Sequence, residues 1–407
     1  MNSAQHPIDE LLPSAPTDRP VETPVSANRV YFPALDGIRA MAFLMVFAGH
    51  YLRLPWGWAG VDVFFVLSGF LITGILFDTR NQLHRVRNFY VRRTLRIFPL
   101  YYGVMLFLVI TYPAFRWRWT WAWLLWPAYL GNFLRGIHPF TQDSPLQLLA
   151  DFQPLSRIIP NFRFYLGHFW SLCVEEQFYL IWPWVVFSIR DRMKLIGVCL
   201  AAVLVCPVFR VLGAHVLPGY MLGQEVLYRW TPFRVDALLL GGLIALLARG
   251  NYSRRLLQAA RIGLWGMTLI ATVWLFREYL AYHAAKEYLY PGWEFTWGLV
   301  FVDLFSACLI VNALEPSTWI FRLFQFRPLR WIGTVSYGAY VFHDIFHVEI
   351  TACVYAAGIT QHTDWVIAAF ALGFTLLLSW ASFRWFETPF IRLKERWAPS
   401  LTSNAGG

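Results

Sequence analysis

Charged residues are scarce in this chain. Only 14% of its 407 residues are Asp, Glu, Lys or Arg, and 57% are hydrophobic. Soluble domains carry roughly 25% charged residues. So little charge cannot cover the water-facing surfaces of the two or three soluble domains that the length alone would suggest. Together with the mean hydropathy of +0.46, the composition predicts a polytopic membrane protein whose outer face contacts lipid.

Cysteine is scarce too, and its positions argue against a disulfide framework or a thiolate metal site. No two of the five cysteines form a Cys-x-x-Cys pair, and each lies in an apolar stretch. We interpret them as small buried side chains. They are Cys173, Cys199, Cys206, Cys308 and Cys353.

Positive charge is in excess, with 34 Lys and Arg against 24 Asp and Glu. The basic residues form short clusters between apolar runs, which is the pattern of the positive-inside rule and not of a nucleic-acid-binding stripe. The 21 Trp and 19 Tyr residues fit the aromatic belts of a membrane protein. We therefore expect membrane lipids, and no nucleic acid, as partners.

Ten stretches are apolar enough to cross a bilayer, which takes about 20 residues. They lie near 35–52, 57–77, 98–113, 168–189, 195–217, 233–248, 257–276, 294–314, 336–356 and 364–386. An eleventh run, 117–134, is rich in Trp and interrupted by Pro127. If this run does not cross, every basic cluster falls on the cytoplasmic side.

The sequence therefore predicts an all-α integral membrane bundle of about ten transmembrane helices with both termini cytoplasmic. Residues 117–134 are predicted as an interfacial or re-entrant helix. The transmembrane domain spans 31–396. It lies between a polar, proline-rich tail at 1–30, expected to be disordered, and a flexible tail at 397–407. We expect the protein in the bacterial cytoplasmic (inner) membrane.

The first apolar run contains two ionisable residues, Arg39 and His50. Eleven steps of about 100° return them to nearly the same helix face, with a rise of roughly 16 Å between them. Such residues cost about 2.5–3.5 kcal/mol at membrane depth and are functional candidates. A lone histidine can also simply bridge two helices. The alignment favours a functional stripe, with the arginine toward the cytoplasm and the histidine toward the outer face.

Arg93 and Arg96, in "FYVRRTLRIFPLYY" (89–102), project from one side of a helix turn. We expect them at the cytoplasmic edge, before a bend at Pro99 into the third span. Paired guanidinium groups suit phosphate, which accepts bidentate hydrogen bonds. Taken alone, the pair could also bind lipid headgroups as part of a positive-inside cluster.

Glu175 and Glu176, in "GHFWSLCVEEQFYLIWPW" (167–184), lie about two turns inside a span. Adjacent residues point about 100° apart, so we expect only one of them to face the core. That carboxylate could accept a proton or pair with a buried cation. The alternative is a structural salt bridge, with Arg39 or Arg234 as its partner.

Other polar or small residues inside the spans are typical of helix packing. Arg234 and Asp236, two positions apart, are interpreted as bundle support, and glycines in the same spans as sites of close helix approach. These glycines are Gly69, Gly74, Gly241 and Gly242.

"SYGAYVFHDIFH" (336–347) contains His343 and His347 at the spacing of a zinc-binding His-x-x-x-His pair on one helix face. The metalloprotease pattern has Glu after the first histidine, and no third ligand is evident. We therefore predict no metal site. His343 and Tyr337 are instead predicted to line the substrate pocket or to form hydrogen bonds there.

The motifs taken together resemble the membrane-bound acyltransferase family 3, the O-acetyltransferase-like group that modifies glycans and other extracytoplasmic acceptors. The resemblance covers about residues 30–395. Seven stretches carry it in family order: "LDGIRAMAFLMVFAGH", "GVDVFFVLSGFLIT", "RRTLRIFPLYY", "HFWSLCVEEQFYLIWP", "FRVDALLLGG", "SYGAYVFH" and "FETPF".

The resemblance implies an acyl-CoA donor, usually acetyl-CoA, that binds from the cytoplasmic side as a co-substrate. No tightly bound cofactor is implied. The acyl group passes to a hydroxyl of a glycan or other acceptor toward the outer face. The resemblance also assigns two pairs to activity, Arg39 with His50 and Arg93 with Arg96.

Acyl transfer to a hydroxyl needs a base that titrates near neutral pH, and imidazole fits. His50 could deprotonate the acceptor or become transiently acylated. Glu176 is the carboxylate predicted to orient or polarise it. Arg93 and Arg96 are predicted to hold CoA phosphates, and Arg39 to line the route or to stabilise charge on the thioester oxygen.

A transporter or flippase for a lipid-linked sugar is the competing interpretation, because the same residues would line a substrate path. Secondary transporters commonly contain inverted repeats and paired broken helices, and the sequence shows neither. A purely structural scaffold would leave both residue pairs unexplained. The acceptor stays open among O-antigen, exopolysaccharide, lipid-linked sugar, peptidoglycan and a secreted small molecule.

Overall fold

A computed structural model describes most of the chain between residues 32 and 398. Within that part, residues Phe32–Pro399 belong to one compact unit. The described ranges are 32–54, 56–115, 121–134, 147–150, 162–217, 220–249, 253–285, 294–359 and 363–398. The predicted tail at 1–30 and nearly all of the tail at 397–407 lie outside these ranges.

Fifteen α-helices make up most of the described residues. In chain order they are α1 Pro33–Tyr51, α2 Ala59–Asp78, α3 Arg85–Phe115, α4 Trp170–Ser188, α5 Arg192–Val216, α6 Tyr220–Arg229, α7 Val235–Ala248, α8 Ser253–Ala285, α9 Leu299–Ala313, α10 Trp319–Phe324, α11 Arg327–Thr334, α12 Ser336–Phe342, α13 His347–Ala356, α14 Thr363–Ala381 and α15 Thr388–Trp397. Short π-helical turns precede α9 and α15. Two short strands, β1 Gln147–Ala150 and β2 Phe162–Tyr165, pair antiparallel before α4.

Six of the described helices are long and apolar enough to cross a membrane. The protein is therefore a multi-pass membrane protein with a helical body. These six segments are Ala59–Asp78, Arg85–Pro113, Arg192–Val216, Arg254–Trp274, Phe295–Ala313 and Thr363–Trp397. The total of ten spans and the cytoplasmic placement of both termini stay predictions.

One predicted span is wrong. The span predicted at 336–356 is two helices, because residues 343–346 form a turn between them. α3 continues through Pro99, so Arg93, Arg96 and the third span belong to one helix. Within the predicted run 117–134, residues 121–133 contain two short 3₁₀ turns.

Close contact between α2 and α7 forms the centre of the bundle, and glycine makes it possible. A Cβ atom added to Gly69 would overlap the carbonyl oxygen of Leu238, and one added to Gly241 would overlap that of Val66. Small residues let two membrane helices approach to backbone contact. The glycine prediction is confirmed at these two positions.

Several helix ends meet at one end of the bundle, here called the basic end. The end of α2 joins the end of α7 through a bidentate pair between Asp78 and Arg249, with both distances 2.7 Å. Arg80, after α2, donates to the carbonyl of Arg190, between α4 and α5. Arg92 of α3 pairs with Glu395 of α15 at 2.8 Å. The end of α1 that carries His50 leads into the start of α2, so it lies at the opposite end.

Candidate active site

The break between α12 and α13 is stabilised by side chains that bond to the last carbonyl groups of α12. The last four carbonyls of a helix have no partner within it and need one from elsewhere. The three bonds run from His343 Nδ1 to the Tyr340 carbonyl (2.7 Å), from His168 Nε2 to the Val341 carbonyl (3.0 Å) and from Tyr51 Oη to the His343 carbonyl (2.7 Å). The helix therefore ends where the surrounding helices can satisfy its carbonyls.

Asp344, in the turn that follows, is the hub of a cluster of histidines. Its Oδ2 lies 3.0 Å from Nδ1 of His50 and 3.8 Å from Nδ1 of His168. Its Oδ1 lies 3.3 Å from Nδ1 of His347. We call these residues, together with His343, the histidine cluster.

Aromatic contacts fix the orientation of the rings in this cluster. The His343 ring lies 5.0 Å from that of His50 and 4.8 Å from that of His168, measured between centroids. Tyr51 stacks on His347 at 4.3 Å. Side chains held by packing and by hydrogen bonds keep one geometry, as a catalytic group requires.

His50 is the accessible member of the pair that it forms with Asp344. Its side chain is 35% exposed and that of Asp344 only 7%. Since Nδ1 faces the carboxylate, Nε2 of His50 is directed away from it and contacts no described hydrogen-bonding group. A buried carboxylate stabilises the imidazolium that forms when histidine takes a proton, which is the arrangement of a histidine general base.

Arginines and carboxylates gather in a second cluster, two to three turns into α3 from the basic end. The guanidinium of Arg93 lies 3.7 Å above the Tyr179 ring, and its Nε is 3.9 Å from Oε1 of Glu176. The charges of Arg39 and Arg93 act on Arg96. We call Arg39, Arg93, Arg96, Glu175, Glu176 and Tyr179 the arginine cluster.

This cluster has the chemistry of a phosphate site. Arg96 has an exposed side chain. Arg39 forms an ion pair with Asp36 at 2.6 Å and keeps a side chain that is 22% exposed. Three neighbouring guanidinium groups can bind a phosphate or diphosphate through several charge-assisted hydrogen bonds.

Polar side chains on α4 connect the two clusters. Ser171, Glu175 and Tyr179 are spaced four residues apart and therefore share one face of the helix. Oγ of Ser171 lies 2.5 Å from Oη of Tyr340, next to the histidine cluster. Tyr179, at the other end of this row, bonds to Ser68 and underlies Arg93. A polar path thus runs along α4 between the clusters.

The predicted site residues do not form one site but divide between these clusters. Arg39, Arg93, Arg96 and Glu176 lie in the arginine cluster, whereas His50 and His343 lie in the histidine cluster. The carboxylate beside His50 is therefore Asp344, and Glu176 lies against Arg93 instead. Arg39 and His50 both lie on α1, with a rise of roughly 16 Å between them.

Tyr337 and His343 lie near different clusters. The hydroxyl of Tyr337 donates to the Ile97 carbonyl on α3 at 2.7 Å, near the arginine cluster. His343 is fully buried, and its Nδ1 bonds to the Tyr340 carbonyl. Both residues form hydrogen bonds, which is one of the two roles predicted for them.

Sequence reasoning missed Asp344 and His168. Asp344 lies between the two histidines that drew attention as a zinc motif, and His168 comes just before the apolar run that begins at Trp170. An ionisable residue next to an intramembrane histidine was a signal for Asp344. No local pattern links either residue to His50, because the contacts join distant helices.

The predicted helix face shared by His343 and His347 does not exist, since the helix breaks between them. Among the described residues no group of three or more His, Cys, Asp or Glu side chains has a geometry that would hold a metal ion. The histidine cluster is an acid–base arrangement around one carboxylate.

The described part of the chain is thus a helical membrane bundle with a His–Asp pair at one end and an arginine cluster toward the other. The sequence comparison gives the family. Residues 32–384 match the model of the acyltransferase domain. The chain belongs to this acyltransferase family, and the predicted resemblance is confirmed.

Relatives of this chain carry the names of O-acetyltransferases or putative O-acetyltransferases. The peptidoglycan O-acetyltransferase OatA of Listeria monocytogenes is 32% identical over 383 residues, which cover 89% of this chain and 56% of that protein. The putative peptidoglycan O-acetyltransferase YrhL of Bacillus subtilis is 32% identical, with 77% of this chain and 48% of that protein covered. A putative O-acetyltransferase of Staphylococcus aureus is 26% identical, with 88% and 57% covered.

The chain thus spans about half the length of the curated relatives that it matches. No solved structure matches it. The family assignment therefore depends on sequence, and the arrangement of the site comes from the structure of this chain.

Proposed function

We propose that this protein transfers an acetyl group from acetyl-CoA, bound at the basic end, to a hydroxyl of a cell-surface glycan at the opposite end. The observation that carries the proposal is the placement of the His50–Asp344 pair and the arginine cluster at two separated levels of one polar path. Family membership supports the acyl transfer, and the names of the relatives support an O-acetylated glycan acceptor such as peptidoglycan.

Charge supports one orientation in the membrane. Arginines concentrate at the basic end, where the ends of α2, α4 and α7 meet. The positive-inside rule supports a cytoplasmic position for such an end, and the bacterial relatives support a bacterial inner membrane as the location. Acetyl-CoA is cytoplasmic, and His50 then faces the side on which cell-surface glycans are built.

In the proposed reaction the acceptor hydroxyl gives its proton to Nε2 of His50 while its oxygen attacks the thioester carbonyl carbon. The carbon–sulfur bond then breaks, and the proton passes to the departing CoA thiolate. Asp344 holds Nδ1 and stabilises the imidazolium between these two steps. Arg93, Arg96 and Arg39 hold phosphate groups of the donor, so that the thin pantetheine arm extends along the path toward His50.

The direct test uses the purified protein in lipid nanodiscs with radiolabelled acetyl-CoA and peptidoglycan fragments or other glycan acceptors. We expect label in the glycan with the wild type, none with His50→Ala although acetyl-CoA still binds, and weakened donor binding with Arg93→Gln. Arg277→Gln, on α8 and outside both clusters, is the matched control. A wild type that neither binds nor turns over acetyl-CoA would contradict the proposal and favour a transport function. A stable acetyl group trapped on His50 would indicate that His50 acts as a nucleophile and not as a general base.

A further inference from the structure

A separate cavity of about 280 Å³ opens at the basic end. It lies between the α2–α3 loop and the end of α4, apart from the arginine cluster. We call it the Arg80 pocket. Its lining residues are Arg80, Asn81, Arg85, Val186, Phe187 and Arg190.

The three arginines of this pocket keep most of their hydrogen-bonding capacity. Arg80 Nη1 donates to the Arg190 carbonyl at 3.1 Å, and Arg85 Nη1 donates to the Arg80 carbonyl at 2.5 Å. The Arg190 guanidinium has no partner among the described residues. A guanidinium carries five N–H donors and no acceptor, so the pocket presents many unused donors.

Nearby rings hold two of these guanidinium groups in place without neutralising them. Arg80 lies 4.0 Å above the ring of Phe77, and Arg85 lies 5.0 Å above that of Phe187. Such contacts orient a guanidinium and leave its charge intact. The donors of the pocket are therefore preorganised for an anion.

The acidic residues that adjoin the pocket in sequence are already engaged. Asp78 forms its bidentate pair with Arg249. Asp191 caps the start of α5, where Oδ1 accepts from the backbone N–H groups of Met193 (2.6 Å) and Lys194 (3.3 Å). Among the described residues that line the pocket there is no carboxylate.

We propose that the Arg80 pocket binds a phosphate monoester, namely the 3′-phosphate at the nucleotide end of the acyl-CoA donor. This inference rests on the proposed function. Arg85 precedes Arg93 and Arg96 on α3 by eight and eleven residues, which corresponds to roughly 12–16 Å of helix. CoA carries a diphosphate and, beyond the ribose, a separate phosphate monoester. These two phosphates are separated by one ribose, which is shorter than the rise between the two groups of cations. The long arginine side chains therefore have to extend toward one another to bind both, with the diphosphate at the arginine cluster.

A phospholipid headgroup offers the same phosphate chemistry from another source, as a single diester. A monoester carries more charge than a diester and uses more of the unused donors in the pocket. This difference in charge favours the nucleotide.

The test compares CoA with 3′-dephospho-CoA, which differ only in this phosphate. Affinities are measured by calorimetry on the full chain in neutral-lipid nanodiscs. We expect the wild type to bind CoA about tenfold or more tightly than 3′-dephospho-CoA, because charge-assisted hydrogen bonds are lost. Arg190→Gln and Arg85→Gln should bind the two ligands equally. Arg87→Gln removes one charge from an exposed position of the same helix and should keep the preference.

Equal affinity of the wild type for both ligands, or a preference retained in Arg190→Gln, would overturn this inference while acetyl-CoA binding still supports the proposed function. A wild type that binds neither ligand would overturn the proposed function itself. A second arm repeats the measurement in nanodiscs that contain anionic phosphatidylglycerol. If Arg190→Gln weakens binding of that lipid and leaves the preference for CoA unchanged, the phosphate belongs to a lipid headgroup and the nucleotide assignment is wrong. Size-exclusion profiles establish that each variant is folded.

Discussion

Nδ1 of His50, near the end of α1, lies 3.0 Å from Oδ2 of Asp344, in the turn between α12 and α13. The pair joins the first helix of the described chain to a helix break near its other end. Because the carboxylate is buried and the imidazole is partly exposed, the pair is arranged as an oriented base that faces an accessible space. The role of Asp344 is that of a positioning residue, since it acts through His50.

Asp344→Asn is the most informative substitution at this pair. An amide cannot stabilise the imidazolium, so we expect kcat to fall by about 10²-fold or more, with the KM for acetyl-CoA nearly unchanged. Asp344→Glu should restore part of kcat. An equal fall of kcat in both variants, with a lowered thermal midpoint, would indicate a structural role only. Transfer kinetics and thermal unfolding of the same preparations check this.

Glu176→Gln tests which carboxylate acts on His50. The sequence predicted Glu176 for this role, whereas the structure shows Asp344 beside His50. Glu176 lies against Arg93, so we expect its replacement to change the affinity for acetyl-CoA and to leave the acceptor step unaffected. Its effect should be non-additive with Arg93→Gln, because the two residues are in contact. Donor affinities of both single variants and of the double variant measure this coupling. A pure loss of kcat in Glu176→Gln would instead support the original assignment to His50.

The ion pair between Asp62 and Arg234 is buried in the bundle, with side-chain exposures of 0% and 1%. Asp62→Leu leaves a buried arginine without its partner, which costs about 3–5 kcal/mol. We expect a strongly lowered free energy of unfolding, and partial recovery in the double variant with Arg234→Leu. Denaturant titration in mixed micelles measures both.

Asp78→Asn provides the comparison for that prediction. Asp78 also pairs with an arginine, but its side chain is 55% exposed. An exposed pair contributes about 0–1 kcal/mol. A similar cost in Asp62→Leu and Asp78→Asn would contradict the view that burial decides the strength of these pairs.

Gly69→Ala and Gly241→Ala test the contact between α2 and α7. A Cβ at either position meets backbone of the facing helix, which cannot move aside. We expect each variant to lose about 1–3 kcal/mol through overpacking. Gly266→Ala, on α8, is the matched control, since nothing lies within 4 Å of its added Cβ. Helix propensity alone predicts that this control is neutral or slightly stabilising.

The amino-acid sequence by itself determined the class of protein and most of its helices. Low charge and long apolar runs leave lipid as the surrounding solvent, and helices satisfy their backbone groups within one segment. The apolar runs of the sequence therefore predicted α1, α2, α5 and α7 to within a few residues. It also pointed to His50, Arg93 and Arg96, because an ionisable residue in an apolar run is conspicuous wherever the helix lies.

Tertiary structure alone decided which of these residues work together. No local spacing indicates that α12 ends at Phe342, because the carbonyls at that end bond to side chains from distant parts of the chain: Val341 to His168 and His343 to Tyr51. Because of that break, Asp344 lies next to His50, whereas Glu176 lies next to Arg93. Helix formation is governed by contacts within one segment, whereas the pairing of charges depends on how the segments pack. For this reason the chain's residues identified the chemistry, and only the packing of its helices assembled the site.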